Sequence, residues 1–257
     1  MPEANAFKEA LLDKKAFCVT WEQIPGRGAA TRQYDDILAN AARAAKDGLV
    51  KAISVTDNPG GNPAYAPAML GIEIKKLGIE PLVHFALRDK NRNEVESLLY
   101  GLAGAGVRNL LVMSGDYPAA TAFGGCAQPV FDLDPVHVLQ LIAQMNAGLE
   151  YEAIGQQVKL SPTDFFAGVA VSPFKKLEAE VMGQYFKLEK KIKAGAGFII
   201  NQVGYDARKA DELIAWLKHG GHDVPALANI YVLSYPAARL MHDNKIPGCV
   251  VGDKLLS

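Results

Sequence analysis

The chain has 257 residues, of which 49% are hydrophobic and 21% charged, and this composition is ordinary for a globular enzyme with one sizeable core. Its net charge of -1 provides no overall field that would attract nucleic acid or an anionic membrane, so neither partner is expected. The three cysteines are dispersed, which argues against a disulfide framework and predicts a reduced setting. We find no export signal and no long apolar run, so we expect a cytoplasmic protein without a membrane span.

Strand-like and helix-like segments alternate along the chain. In the segment at 109–113, Asn109 is followed by an unbroken apolar run, which is typical of a parallel strand covered by helices on both faces. Helix ends are marked by Gly48, by Asp134 with Pro135, and by Gly148. The seven predicted strands are 17–21, 52–56, 81–86, 109–113, 166–173, 197–202 and 224–231. The predicted helices include 7–12, 35–46, 68–77, 94–102, 211–218, 237–242 and a long one that ends at 194–195.

This alternation predicts a single (βα)8 TIM barrel over residues 1–257, with a doubly wound open sheet as the alternative. The segment at 246–251 is a candidate eighth strand, but too little chain follows it for a full closing unit. We therefore expect an incomplete or irregular closing unit at the C-terminus.

Ligands of a parallel α/β protein bind at the carboxyl ends of its strands, so polar residues there are candidate site residues. Asp116 lies in a Gly-Asp-x-Pro turn after the fourth strand, where it is either a site carboxylate or only a cap of its own turn. The full set of strand-exit residues is Glu22, Thr56 with Asp57, His84 with Arg88, Asp116, Ser172, Gln202 and Tyr231.

The composition of these exits argues against several chemistries. No lysine is among them, which argues against imine catalysis. Carboxylates and a histidine are suitable metal ligands, but no pair has the usual i, i+2 or i, i+4 spacing, so no metal is expected. Neither a glycine-rich phosphate loop after the seventh strand nor a Gly-x-Gly-x-x-Gly motif is present.

The order of the exit motifs resembles that of the methylenetetrahydrofolate reductases. The matching motifs are Trp-Glu-Gln-Ile-Pro at 21–25, Ser-Val-Thr-Asp at 54–57, Pro-Leu-Val-His at 81–84, Ser-Gly-Asp-Tyr-Pro at 114–118, Lys-Ala-Gly-Ala-Gly at 193–197, Asn-Gln at 201–202 and Asn-Ile-Tyr-Val at 229–232. The resemblance implies a (βα)8 flavoprotein in which FAD, reduced by a nicotinamide or another electron donor, passes hydride to 5,10-methylenetetrahydrofolate.

The resemblance also implies roles for individual residues. Glu22 would be the general acid that assists opening of the folate's five-membered ring. Asp116 would contact both pterin and flavin, while Gln202 and Tyr231 would bind the substrate. The remaining cofactor contacts would come from Thr56, His84, Ser172, Lys190 and Lys191. For Glu22, Asp116, His84 and Gln202, an ordinary structural role is the alternative.

Two positions depart from the family pattern. Ser172 stands where flavin-binding members have an aromatic residue, and Gln184 where they have an acidic one, whereas Lys190 and Lys191 match the expected basic pair. Three hypotheses follow: a flavin-dependent reductase, a non-oxidative folate-binding or methyl-transferring barrel, and a non-catalytic partner subunit of a redox complex. We expect either a homo-oligomer or association with a redox subunit.

Overall fold

The computed structural model describes residues 4–120, 124–246 and 248–256. The chain divides into two compact units, Met1–Ala167 and Gly168–Ser257. A single domain over 1–257 stays a prediction. Within the described ranges, none of the helices combines the length and the apolar character needed to cross a membrane.

The first unit contains four parallel strands paired in sequence order. These strands are β1 (Val19–Gln23), β2 (Val50–Val55), β3 (Glu80–Ala86) and β4 (Asn109–Met113). The helices are α1 (Ala6–Leu12), α2 (Arg32–Asp47), α3 (Pro67–Lys76), α4 (Arg92–Gly104) and α5 (Pro135–Ala147), and a 3-10 turn covers Pro59–Gly61. An antiparallel hairpin of β5 (Glu150–Ala153) and β6 (Gln156–Lys159) follows α5.

Strand alternation gives the two sides of this sheet different chemistry. Successive side chains of a strand point to opposite faces. Ile53 and Val55 of β2 pack with Leu70 and Ile74 of α3 and with Ile37 of α2 in one buried cluster. The other face of the same strands is therefore the one left for polar side chains.

Asp134 and Gly48 mark helix ends as predicted, and Thr31 and Asn91 cap two helices whose starts the sequence analysis did not mark. Thr31, Asn91 and Asp134 accept hydrogen bonds from the backbone N–H three residues ahead, and so cap α2, α4 and α5. Gly48 ends α2 with φ of 70°, a left-handed conformation that glycine adopts without a Cβ clash. These local interactions fix where each helix starts and stops relative to its strand.

The second unit continues the alternation. It contains the parallel strands β7 (Phe166–Val171, which begins at the boundary), β8 (Phe198–Asn201) and β9 (Ala226–Leu227), and the helices α6 (Glu178–Lys193), α7 (Ala207–His219), α8 (Tyr235–His242) and α9 (Asp253–Leu256). A Cβ on Gly168 would overlap the Phe198 ring, so this glycine lets β7 and β8 pack closely.

These elements confirm the predicted α/β fold of the TIM-barrel type. In each unit the parallel strands pair in sequence order, without the order reversal of a doubly wound sheet. The closing part is irregular, as expected: the strand predicted at 224–231 is reduced to two residues, and the segment at 246–251 contributes a single parallel bridge from Val250 to Gly204. The hairpin of β5 and β6 was not predicted.

A buried polar network lies at the amino-terminal ends of the strands of the first sheet. Asn109 is fully buried; its amide donates to Glu80 (3.1 Å), and its oxygen accepts from Asn5 (2.7 Å). Glu80 also pairs with Lys75 at 2.7 Å. Because buried polar groups are costly without partners, the network links α1, which carries buried Phe7, to β3 and β4.

We expect Asn109→Leu to lower the free energy of unfolding by about 1 to 3 kcal/mol, because Asn5 and one Glu80 oxygen would lose their buried partner. Urea denaturation measures the change. Asn93→Leu, at an exposed position of α4, is the control and should shift stability by less than about 0.5 kcal/mol. Equal midpoints for the two variants would contradict the role assigned to the network.

Candidate functional site

Three polar side chains from three neighbouring strands meet on the face of the first sheet that the helices do not cover. His84 in β3 lies with its Nε2 atom 2.7 Å from the Ser54 hydroxyl in β2. The same nitrogen is 3.8 Å from a carboxylate oxygen of Glu22 in β1. Glu22 is the fourth residue of its strand and not the residue after it, so its side chain points along this face.

Burial sets the protonation states of this cluster. His84 is 6% exposed, and desolvation lowers the pKa of its imidazole to about 4. Desolvation also raises the pKa of Glu22, although 38% of its side chain remains exposed. The histidine is therefore neutral near pH 7, and the 3.8 Å contact is not an ion pair.

Thr56 follows β2 on the same side of the sheet. Its N–H donates to the carbonyl of Gln23 at 3.2 Å, which extends the pairing of β1 and β2 by one residue. Its hydroxyl is buried and, within the described part of the chain, has no hydrogen-bond partner. Because a buried unsatisfied hydroxyl costs about 1 to 3 kcal/mol, this atom is a good candidate to bind a ligand.

Asp116 lies on an exposed loop after β4, and the loop after β2 holds its side chain. One Asp116 carboxylate oxygen accepts from the N–H of Gly60 at 3.1 Å. Gly115 has φ of 87°, and a Cβ there would press on Ala86 and Arg88. Asp116 thus accepts from the neighbouring 3-10 turn, and the residue is exposed.

The loops after β2 and β4 are also in direct backbone contact. Ala119 donates to the carbonyl of Gly61 at 2.8 Å. Gly61 has φ of 76°, and a Cβ at this position would overlap the carbonyl oxygen of Tyr117. Only glycine permits this approach.

Asp57 faces the helices and not the polar cluster. Its carboxylate accepts from Lys90 at 2.7 Å and from the N–H of Ala86 at 3.0 Å, so its charge is compensated. The pair borders a cavity of about 530 Å³ between β3, α3 and α4. Val83 and Phe85 line this cavity on the helix-covered side of the sheet, and His84 of the same strand also borders it.

Two of the candidate residues of the second unit, Gln202 and Tyr231, have local partners. Gln202 is half-buried, and its side-chain oxygen accepts from the N–H of Val203 at 2.9 Å. Tyr231 is 48% exposed, and its carbonyl accepts from the Tyr205 hydroxyl at 2.7 Å. The Ser172 hydroxyl is buried and, like that of Thr56, lacks a partner among the described residues.

The two candidate lysines differ in exposure. Lys190 is exposed on α6, whereas the Lys191 ammonium donates to the carbonyl of Ala170 in β7 at 2.9 Å. The structure therefore brings Glu22 close to His84 and joins the Asp116 loop to the loop after β2. A shared cavity for Glu22, Asp116 and Gln202 stays a prediction.

Sequence reasoning did not identify the partners of two candidate residues. Ser54 was seen only as part of a motif, although it precedes Thr56 by two residues and therefore shares its face. Lys90 forms an ion pair with Asp57. This partner could have been suspected, because Lys90 is a basic residue shortly after the end of a predicted strand. Within the described ranges, no group of three or more His, Cys, Asp or Glu side chains is placed to hold a metal ion.

Comparisons with known proteins give one family and several structures. The model of a family described as methylenetetrahydrofolate reductase matches residues 8–253. Curated protein sequences give no match. An uncharacterized protein from Clostridium thermocellum, whose structure binds two copies of 5-methyl-5,6,7,8-tetrahydrofolic acid, is 12% identical with a TM-score of 0.65, over 96% of this chain and 77% of that chain.

Other solved structures are similar in fold. A 2,3-dimethylmalate lyase is 13% identical with a TM-score of 0.55, over 93% of this chain and 77% of that chain. Tryptophan synthase from Mycobacterium tuberculosis is 15% identical with a TM-score of 0.55, over 93% and 86%. At these identities the similarity shows the fold alone.

We expect His84 to make the protein less stable as the pH falls. Its folded-state pKa of about 4 is below the ordinary 6.5, so between these values the unfolded chain binds a proton that the folded chain does not. The stabilisation is complete above pH 6.5, and its loss by pH 4 amounts to about 3 kcal/mol. Urea unfolding of the wild type and His84→Gln across this range measures the difference, and parallel pH profiles would contradict the assignment.

Proposed function

The chain belongs to the methylenetetrahydrofolate reductase family, and we propose that it interconverts 5,10-methylenetetrahydrofolate and 5-methyltetrahydrofolate as a flavin-dependent oxidoreductase acting on a CH-NH donor. The observation that carries the proposal is the 3.8 Å contact between the Glu22 carboxylate and a neutral, buried His84. FAD and a reduced nicotinamide, or another electron donor, complete the proposed reaction. A cytoplasmic setting, as a homo-oligomer or with a redox subunit, is part of the proposal.

Glu22 is the proposed general acid. Opening the five-membered ring of methylenetetrahydrofolate breaks a carbon–nitrogen bond, and the departing nitrogen needs a proton. A carboxylic acid whose pKa is raised by desolvation keeps its proton to higher pH than an ordinary glutamate does. Glu22 also keeps part of its side chain exposed, so the acid can reach a bound substrate.

His84 supports this role because it carries no charge. An imidazolium 3.8 Å from Glu22 would stabilise the carboxylate and lower its pKa. Burial keeps the imidazole neutral, and the Ser54 hydroxyl holds the ring in place at 2.7 Å. The proposed division of labour is that Glu22 donates the proton while His84 and Ser54 shape its surroundings.

The residues present fit a flavin. Bound FAD would supply the hydride chemistry, so the protein needs to add orientation, one acid and a fixed field. The described part of the chain supplies no hydrogen-bond partner for the Thr56 and Ser172 hydroxyls, so each could bind a polar cofactor atom, and His84 can offer a neutral ring nitrogen. Asp116 would contact both cofactor and pterin, and Lys190 is exposed for a phosphate.

The proposed substrate contacts are polar and adaptable. Asp116 can accept hydrogen bonds from the pterin with the oxygen that Gly60 does not use. Gln202 keeps its side-chain NH2 as a donor, since its oxygen already caps Val203. Tyr231 would add an aromatic surface together with its hydroxyl.

A second candidate function is folate binding or methyl transfer without flavin. One observation favours it over the reductase: Ser172 and Gln184 replace the aromatic and acidic residues of flavin-binding members. A structural neighbour binds 5-methyltetrahydrofolate, which agrees with either function. Ser172 offers little area for stacking, and Gln184 has no charge.

We expect the purified reductase to absorb at about 450 nm, since bound flavin absorbs there and the alternative function needs none.

Titration of apoprotein with FAD should show tighter binding in the Ser172→Tyr and Gln184→Asp double variant than in the wild type. An FAD affinity unchanged by the double substitution would show that these positions do not contact the cofactor.

We expect Glu22→Gln to separate the two half-reactions. The variant keeps size and hydrogen bonding but removes the proton donor, so the folate half-reaction should slow by about 10² to 10⁴ while reaction with reduced nicotinamide stays near normal. Rapid-mixing absorbance follows both. Glu73→Gln, at an α3 carboxylate paired with Lys76, is the control and should change neither rate. Equal losses in both halves would mean that the acid lies elsewhere.

A further inference from the structure

Arg88 is buried at the point where the loops after β2, β3 and β4 meet. Its side chain is 1% exposed, two residues beyond the end of β3. A fully buried guanidinium is costly to desolvate and is retained only where its hydrogen bonds are satisfied. The partners of Arg88 therefore indicate what the residue holds together.

The guanidinium joins two loops through their backbone. Its Nη1 atom donates to the carbonyl of Asp116 at 2.6 Å. Both Nη1 and Nη2 lie 3.4 Å from the carbonyl of Asn58, which has a left-handed φ of 44°. One planar group thus connects the loop after β4 with the loop after β2.

Asp89 compensates the charge of Arg88 and fixes its orientation. Nε donates to one carboxylate oxygen at 2.9 Å, and Nη2 contacts the other. The second oxygen also accepts from the Asn58 side chain at 3.0 Å. The guanidinium is thereby held by a two-pronged ion pair, leaving its other donors directed at the loop carbonyls.

The backbone of Arg88 adds to the same junction. Its N–H donates to the carbonyl of Ser114 at 2.9 Å, and its carbonyl accepts from Val130 at 2.7 Å. Asp116 is held at its backbone by Arg88 and at its carboxylate by Gly60. Both ends of this residue are therefore fixed by groups outside its own loop.

We infer that Arg88 is a positioning residue that sets the place of the Asp116 carboxylate by bridging the Asp116 and Asn58 carbonyls. This inference rests on the proposed function for its consequence, because Asp116 is the proposed pterin contact. A lysine could not reproduce the arrangement, since a single ammonium lacks the planar fork that serves both carbonyls and Asp89 together.

Arg88→Lys tests the inference, with Arg108→Lys as the matched control. Arg108 is also nearly buried, and its Nε lies 2.9 Å from a carboxylate oxygen of Asp164. It lies just before β4, at the opposite end of that strand from the Asp116 loop. Amide hydrogen exchange of the free protein is the first measurement. We expect Gly60 and Ala119 to exchange at least about 10-fold faster in Arg88→Lys and at the wild-type rate in Arg108→Lys.

Binding of 5-methyltetrahydrofolate is the second measurement. Arg88→Lys should weaken binding by about 10-fold, and the same substitution in an Asp116→Ala background should weaken it less than about 2-fold, because its effect passes through Asp116. A merely structural arginine would give the same loss in both backgrounds. Thermal midpoints of all variants report stability separately.

Each outcome decides the inference. Wild-type exchange rates at Gly60 and Ala119 in Arg88→Lys would overturn it, as would a full loss of binding that persists in Asp116→Ala. If the wild type does not bind 5-methyltetrahydrofolate, the proposed function fails while the exchange rates still decide the positioning role. If Arg88→Lys does not fold, Asp89→Asn should show the same faster exchange, since it releases the guanidinium from its ion pair.

Discussion

The parallel strands of the first unit must hide one face under helices, and this constraint determines where chemistry can occur. Ile53 and Val55 pack against α2 and α3, which leaves the opposite face of β2 to Ser54 and then Thr56. Each strand contributes a side chain at alternate positions, so Glu22 and His84 arrive on the same face without any specialised loop. The polar cluster therefore follows from the alternation of side chains along each strand and from the packing of helices on the other face.

Desolvation then gives this cluster its character. It lowers the pKa of His84 and raises the pKa of Glu22, because burial disfavours the charged form of both groups. The result is an uncharged environment in which Glu22 is able to carry a proton. Asp57 is also a carboxylate at a strand end, but its ion pair with Lys90 directs it toward the helices.

The sequence supported the class of fold and most strand positions because apolar runs and glycine or proline signals are local. It failed where tertiary contacts decide: the predicted strand at 224–231 keeps only two residues, and the β5–β6 hairpin carries few apolar residues to mark it. Glu22, Asp116 and His84 could be named as candidates from their place at or near strand ends. Their partners could not, since Ser54, Gly60 and Arg88 are brought to them by strand register and loop contact.

The close approach of Gly61 to Tyr117 has a consequence for motion. Because the two loops share a backbone hydrogen bond and leave no room for a side chain between them, neither can swing outward without carrying the other. They form one body on the timescale of loop movement, which runs from nanoseconds to microseconds. A side chain added at residue 61 would overlap the Tyr117 carbonyl and force the two loops apart.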